Sequence, residues 1–179
     1  MKPEKQPVPT LCQMETAVAN LWDVRRHIIV PNISWGMKLH ECDLFILTKA
    51  NYALEIEIKR TKADLKKDAE KQHAHQSERI KELWFAIPER LKNCLEFIPA
   101  HAGVILVKKR RIKSLQPAYR AVRYRLPVPN KAAKKLSEQE VSNVKRLGCM
   151  RIWSLKATII NLQQELQELK AEKNRQEVT

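Results

Sequence analysis

Two apolar stretches, ECDLFIL at 41–47 and YALEIEIK at 52–59, flank a short polar break. In the second, Leu54, Ile56 and Ile58 alternate with Glu55, Glu57 and Lys59. A period of two belongs to a strand and sends the two sets to opposite faces. The spacing predicts a β-hairpin of strands 41–48 and 52–60, turning through Lys49, Ala50 and Asn51. Asparagine suits such a turn because it tolerates left-handed backbone. On the first strand, alternation groups Asp43 with Phe45 and Leu47. One face of the second strand is aliphatic and ready for a core. The other lines up two carboxylates and an ammonium, which a half-buried strand does not hold without a partner.

The rest of the chain supplies elements around that hairpin. Thr10 caps a helix along which Leu11, Met14, Val18, Leu21 and Trp22 recur at helical spacing. Glu15 falls near the face shared by Leu11, Val18 and Trp22, so it either reaches solvent or an arginine at the rim, or reaches a site. HIIVPNISW (27–35) reads as a strand broken at Pro31. Thr61 and Asp64 form a capping box for a second helix running to about Ile80. Further strands are expected at 82–88, 102–108 and, at a sheet edge, 119–126. Helix, three strands, helix and strands again describe an α/β (α+β) fold with a mixed sheet.

Pro127, Pro129 and NKAAKK make a linker, and Ser137 with Glu140 opens another helix. There Leu155, Ile159, Leu162, Leu166 and Leu169 step by four and three, the a/d seam of a short coiled coil. The seam either packs back on the domain or meets a second copy in a homodimer. The organisation is a proline-rich lead-in (1–9), a domain (10–130), and a basic linker with a long helix (131–179).

Charge narrows the function. The net charge is +14, and Lys108, Lys109, Arg110, Arg111, Lys113, Arg120, Arg123, Arg125, Lys131, Lys134 and Lys135 follow one another without a single acid between them. A run of this kind suits a polyanion, either nucleic acid or an anionic membrane, and nucleic acid is the expected contact, made by the basic residues between Lys108 and Arg125. Three glycines leave no room for a glycine-rich phosphate loop. No apolar run is long enough to span a membrane, and no apolar segment follows the N-terminal MKPEK as a signal peptide requires. Cys12, Cys42, Cys94 and Cys149 are widely spaced, as expected of reduced thiols in a cytoplasmic protein.

In the hairpin, Asp43 and Glu57 come close enough to converge. Two carboxylates from neighbouring strands suit Mg²⁺ or Mn²⁺, hard ions that take oxygen ligands and keep several waters. Lys59 shares the face of Glu57 and could orient a water or offset charge on a phosphate. Glu15 could complete the site as a ligand or water-holder. Glu55 could substitute for Glu57, and Lys71 or His73 could face the site from the second helix. The competing reading is a salt-bridged polar sheet face with no chemistry.

A helix-borne Glu, a strand-borne Asp, E-x-K on the next strand and a following helix resemble the PD-(D/E)XK, or restriction-endonuclease-like, nuclease superfamily. More closely, NISWGMKLHECDLFILTKANYALEIEIKRTKADLKKD, LWFAIPERL, PVPNKAAKKLSEQE and LGCMRIWSL resemble phage and bacterial proteins related to the MmcB-like DNA repair family. The likeness spans roughly 12–156. It implies a restriction-endonuclease-like fold, Asp43, Glu57 and Lys59 as catalytic residues with Glu15 at the helix position, and Mg²⁺-dependent cleavage of DNA. Cys42 stands where the superfamily usually has a proline. The alternatives are a non-catalytic nucleic-acid-binding module on the same fold and a coiled-coil assembly protein.

Overall fold

The computed structural model describes residues 8–33, 41–70, 77–110 and 118–177. The elements are α1 (Leu11–Trp22), β1 (Ile28–Ile33), β2 (Cys42–Leu47), β3 (Ala53–Ile58), α2 (Lys62–Ala69), β4 (Ile80–Pro88), a 3-10 segment (Glu89–Phe97), β5 (Gly103–Lys109), β6 (Tyr119–Arg125) and α3 (Glu138–Glu177). The strands form one six-stranded mixed sheet in the order β1-β2-β3-β4-β5-β6. β3, β4 and β5 are parallel neighbours, and the outer pairings are antiparallel. The fold is α+β, with helices on both faces of the sheet.

The alternation read from the sequence sorts the two faces. Leu54, Ile56 and Ile58 join Leu44, Ile46, Trp84, Ala86, Ile105 and Val107 beneath Met14, Ala17, Val18 and Trp22 of α1. The other face carries Leu83, Phe85, Ile87, Val104 and Leu106 against Leu65 of α2 and Leu91 of the 3-10 segment. Phe45, Leu47, Ala53 and Ile80 pack with Leu136 and Val144, so the start of α3 covers the β1 side. β3 is therefore buried along its whole length.

The hairpin turn forms where expected: Asn51 has φ of 60°, and its N–H donates to the Thr48 carbonyl at 3.0 Å. The capping boxes at Thr10, Thr61 and Ser137 are present, the first closed by Gln13. Two expectations are corrected. α2 ends at Ala69, with Glu70 as its C-cap, rather than running to Ile80. Beyond Leu65 the helix has no apolar stripe to pack, whereas Ile80 is needed in the core and opens β4 opposite Ala53. Pro31 does not break β1, because β1 is an edge strand and only one neighbour requires its backbone groups. Asp43 lies in β2 just before Leu44, where the β2–β3 ladder begins.

Beyond Arg151, whose guanidinium still donates to the Asn32 carbonyl, α3 leaves the sheet. Leu155, Ile159, Leu162, Leu166 and Leu169 are each more than half exposed, so the seam does not pack back on the domain. No described helix is long and apolar enough to cross a membrane, and the four cysteines form no disulfide.

Gly103 lies opposite Trp84 across the β4–β5 ladder. A Cβ there would overlap the indole, coming within 2.7 Å of Trp84 Cδ2. The ring is wedged edge-on against Trp22, with centroids 5.2 Å apart, and cannot swing clear freely. Gly103→Ala is expected to cost about 1–3 kcal/mol through overpacking. Urea unfolding of both proteins measures it, and an unchanged midpoint would show that the ring yields.

Candidate active site

The sheet topology gathers chemistry at one end. The C-terminal ends of parallel β3, β4 and β5 lie beside the start of β2, the start of β6 and the N-terminus of α1. Asp43 enters from β2, Glu57 and Lys59 from β3, Glu15 from the second turn of α1, and Asp68 from α2. Ligands of open sheets with parallel strands commonly bind beyond the carboxyl ends of those strands.

Lys59 is the centre of the cluster. Its Nζ donates to Glu57 Oε2 and lies 2.8 Å from Asp68 Oδ1 and 3.9 Å from Asp43 Oδ2. Its backbone N–H donates to the Ala86 carbonyl at 3.0 Å, extending the β3–β4 ladder past Ile58 and fixing where the side chain starts. Asp43 Oδ2 accepts the Ile58 N–H at 2.6 Å, so the side chain occupies a place in the sheet edge that a backbone carbonyl would otherwise take. Glu57, Lys59 and Asp68 are buried, whereas the Asp43 side chain keeps 34% of its surface. Asp43 thus stands at the mouth and Glu57 on the floor.

Electrostatics follow from this crowding. Burial raises the pKa of Glu57; the Lys59 ammonium pulls it down and Asp43 and Glu55 push it up, leaving it above the ordinary value. Burial works against the Lys59 ammonium, but Glu57 and Asp68 outweigh it and hold the pKa above that of a free lysine. Glu15 is raised too, by burial and then by the Asp43 carboxylate. Both partners of the central pair shift toward binding protons, because several carboxylates surround one ammonium. The Cys42 thiol is pushed up by burial and by the same carboxylates, which keeps it a thiol and no nucleophile.

Among the described residues no three His, Cys, Asp or Glu side chains converge as a metal cage. The donors on offer are Asp43 and Glu57, with Glu15 close enough to feel Asp43. Two hard oxygen donors fit an ion that retains most of its water. Glu55 sits two residues before Glu57 on β3 and is fully buried. Lys71 and His73 lie outside the described residues, as do Arg111 and Lys113.

The remaining basic residues divide. Lys109, Arg120 and Arg123 are exposed. Lys108 pairs with Glu89 at 2.7 Å, and Arg125 donates to the carbonyls of Ala102 and Pro99 at 3.0 and 2.8 Å. Arg110 continues the β5–β6 pairing through its N–H to the Ala118 carbonyl. Arg123 lies over the Trp22 ring, 5.0 Å from its centroid, at the far end of β6 from Arg120. Among the described residues of the run, Lys109 and Arg120 lie exposed at the acidic end.

Sequence reasoning missed three participants. Asp68 follows Leu65 by three residues, so both occupy the buried face of α2; that spacing was the available signal. Arg60 and Arg90 join the rim: Arg60 Nε donates to the Pro9 carbonyl at 3.0 Å, and Arg90 donates to the Arg60 carbonyl at 2.9 Å. Nothing in the sequence pairs residues 30 positions apart; the β3–β4 ladder does.

No family model matches the chain, and no curated protein matches it. A solved structure of a protein of unknown function from Silicibacter pomeroyi is similar to it, at 19% identity and a TM-score of 0.55. The likeness covers 84% of this chain and 89% of that one, and it concerns the fold alone.

The raised pKa of Glu57 carries a consequence for stability. The folded state holds this proton to higher pH than the unfolded chain does. Stability contributed by this group is therefore present below the unfolded value and falls as pH rises toward the folded one. Glutamine does not titrate, so the stability of Glu57→Gln relative to wild type should grow as pH rises through that window. Calorimetric melting of both proteins from acid to neutral pH checks it; parallel curves would mean that Lys59 fully offsets the burial of the carboxylate.

Proposed function

We propose that the chain is a Mg²⁺- or Mn²⁺-dependent deoxyribonuclease of the PD-(D/E)XK type, with a restriction-endonuclease-like fold and a role in DNA repair, recombination or phage DNA processing. The observation that carries this reading is the convergence of Asp43, Glu57 and Lys59 at the carboxyl ends of the parallel strands. Support comes also from the element order: a helix with Glu15, a strand with Asp43, the next with Glu57-Ile58-Lys59, and a helix directly after. An acidic cluster repels phosphate unless a cation intervenes, so a DNA-binding surface gains nothing from one by itself.

Asp43 and Glu57 would hold the ion, and Glu15, close enough to feel the Asp43 carboxylate, would be a further ligand or water-holder. The ion, when bound, supplies Lewis-acid activation of a water and compensates charge on the scissile phosphate. Lys59 is kept protonated by its neighbours, so it acts as a fixed positive charge and hydrogen-bond donor rather than as a base. Asp68 anchors the Lys59 ammonium from the helix side. Arg60, Arg90, Lys109 and Arg120 follow the same sheet end and suit the phosphates on either side of the cleavage point.

One observation favours a second reading. Lys59 is already paired with Glu57 and Asp68, which is what a self-neutralised polar layer looks like. On that reading the protein binds nucleic acid on the same fold without cutting it.

Cleavage of single-stranded, duplex, flap and junction DNA, with Mg²⁺, Mn²⁺ or EDTA, separates the two. At least one substrate should be cut with metal and spared with EDTA. Lys59→Ala and Asp43→Asn should each lower the rate by about 10²–10³-fold, the scale of losing one transition-state contact. Cleavage insensitive to both substitutions would sink the assignment. Binding is measured separately: Lys109→Ala with Arg120→Ala should reduce the log–log salt slope on duplex DNA by about 0.9 per lost phosphate contact. An unchanged slope would make this edge a solvated face only.

A further inference from the structure

α3 is 40 residues long, about 60 Å, yet only its first turns rest on the sheet. Val144 is fully buried and Val141 and Leu147 pack beside it. From Met150 onward the described residues of the helix are exposed. Helices in water owe most of their stability to packing of an apolar face, and this one leaves its face uncovered. The exposed residues are not scattered. Ile152, Leu155, Ile159, Leu162, Leu166 and Leu169 step by three and four without interruption, and each is at least 52% exposed. Their period is 3.5 residues, the repeat that brings a seam onto a partner helix rather than onto a flat sheet.

We infer that this seam is a homodimer interface, a parallel two-stranded coiled coil formed with α3 of a second copy. The identity of the partner follows from the seam itself. Ile152, Ile159 and Leu166 occupy a positions, and Leu155, Leu162 and Leu169 occupy d positions; β-branched Ile at the first two a positions with Leu at every d favours two parallel strands. In the same register Glu165 at g lies opposite Lys170 at e of the other copy, and the symmetry supplies that opposite-charge pair twice. Arg151, whose charge would otherwise meet Lys156 of the other copy, is drawn away to the Asn32 carbonyl at 2.7 Å. A second copy therefore covers all six residues at once and gives Glu165 and Lys170 opposite-charge partners on both sides of the seam.

Sedimentation of the full chain at micromolar concentration tests it, with Ile159→Glu and Leu162→Glu as seam variants and Ile160→Glu as a neighbour off the seam. Wild type and Ile160→Glu should sediment at twice the 20.9 kDa chain mass. The seam variants should run as monomers, with self-association weakened about 100-fold or more, since each change is felt on both helices. Domain melting monitored at the tryptophans should stay intact in all of them, because residues 159–162 touch no part of the sheet. Orientation is read by Leu169→Cys after Cys12 and Cys149 are changed to Ser. In a parallel pair the two introduced thiols face each other and oxidise to a linked dimer. A monomeric wild type, a dimer that survives both seam variants, or dissociation by Ile160→Glu alone would overturn the interface. Failure of Leu169→Cys to cross-link a protein that still dimerises would overturn the parallel arrangement.

Discussion

Placing Glu55, Glu57 and Lys59 on a strand covered on both faces is the constraint around which the molecule is arranged. Taking an isolated ion out of water costs several kcal/mol, and only close partners offset it. Lys59 is satisfied by Glu57 on its own strand and by Asp68 from α2. Removing one partner of such a pair typically costs about 3–5 kcal/mol, because the other charge stays behind unmatched. α2 is thereby required to dock with Asp68 inward, and Leu65 one turn earlier supplies the apolar contact that seats it. The short reach of α2 is enough for that task.

The same strand organises what surrounds the site. Parallel pairing of β3 with β4 and of β4 with β5 sends three chain segments out at one end of the sheet. Each exit carries basic residues: Arg60 after β3, Arg90 after β4, Lys108 and Lys109 at the end of β5. The antiparallel entries of β2 and β6 return Asp43 and Arg120 to that end. An acidic floor with a basic rim results from strand direction alone. α3 plays no part in it: its first turns close the β1 side of the core, and the remainder leads away from the sheet.

Much of this was legible beforehand. The hairpin at Asn51, the caps at Thr10, Thr61 and Ser137, and the two faces of β3 follow from local rules that tertiary contacts did not override. The convergence of Asp43, Glu57 and Lys59 followed from hairpin register. What failed did so where a distant partner decided. The end of α2 was set by the demand for Ile80 in a parallel ladder, not by helix propensity in a lysine- and glutamate-rich stretch. Pro31 stayed in a strand because β1 lies at the edge, and edge position is a property of the assembled sheet.

The basic run shows the division most clearly. Its charge and its freedom from acids are facts of composition, but the folded chain splits it: Arg125 is taken up by backbone carbonyls and Arg123 by a tryptophan face, while Lys109 and Arg120 stay exposed. By itself, then, the sequence determined the strand periods, the caps, the heptad seam and the types of charged group available, because each depends on neighbours a few residues away. Tertiary structure alone decided that Asp68 completes the lysine cluster, that Arg60 and Arg90 stand beside it, and which basic residues remain free. Those outcomes depend on which strands run parallel, and on where burial makes an unpartnered charge too costly to keep.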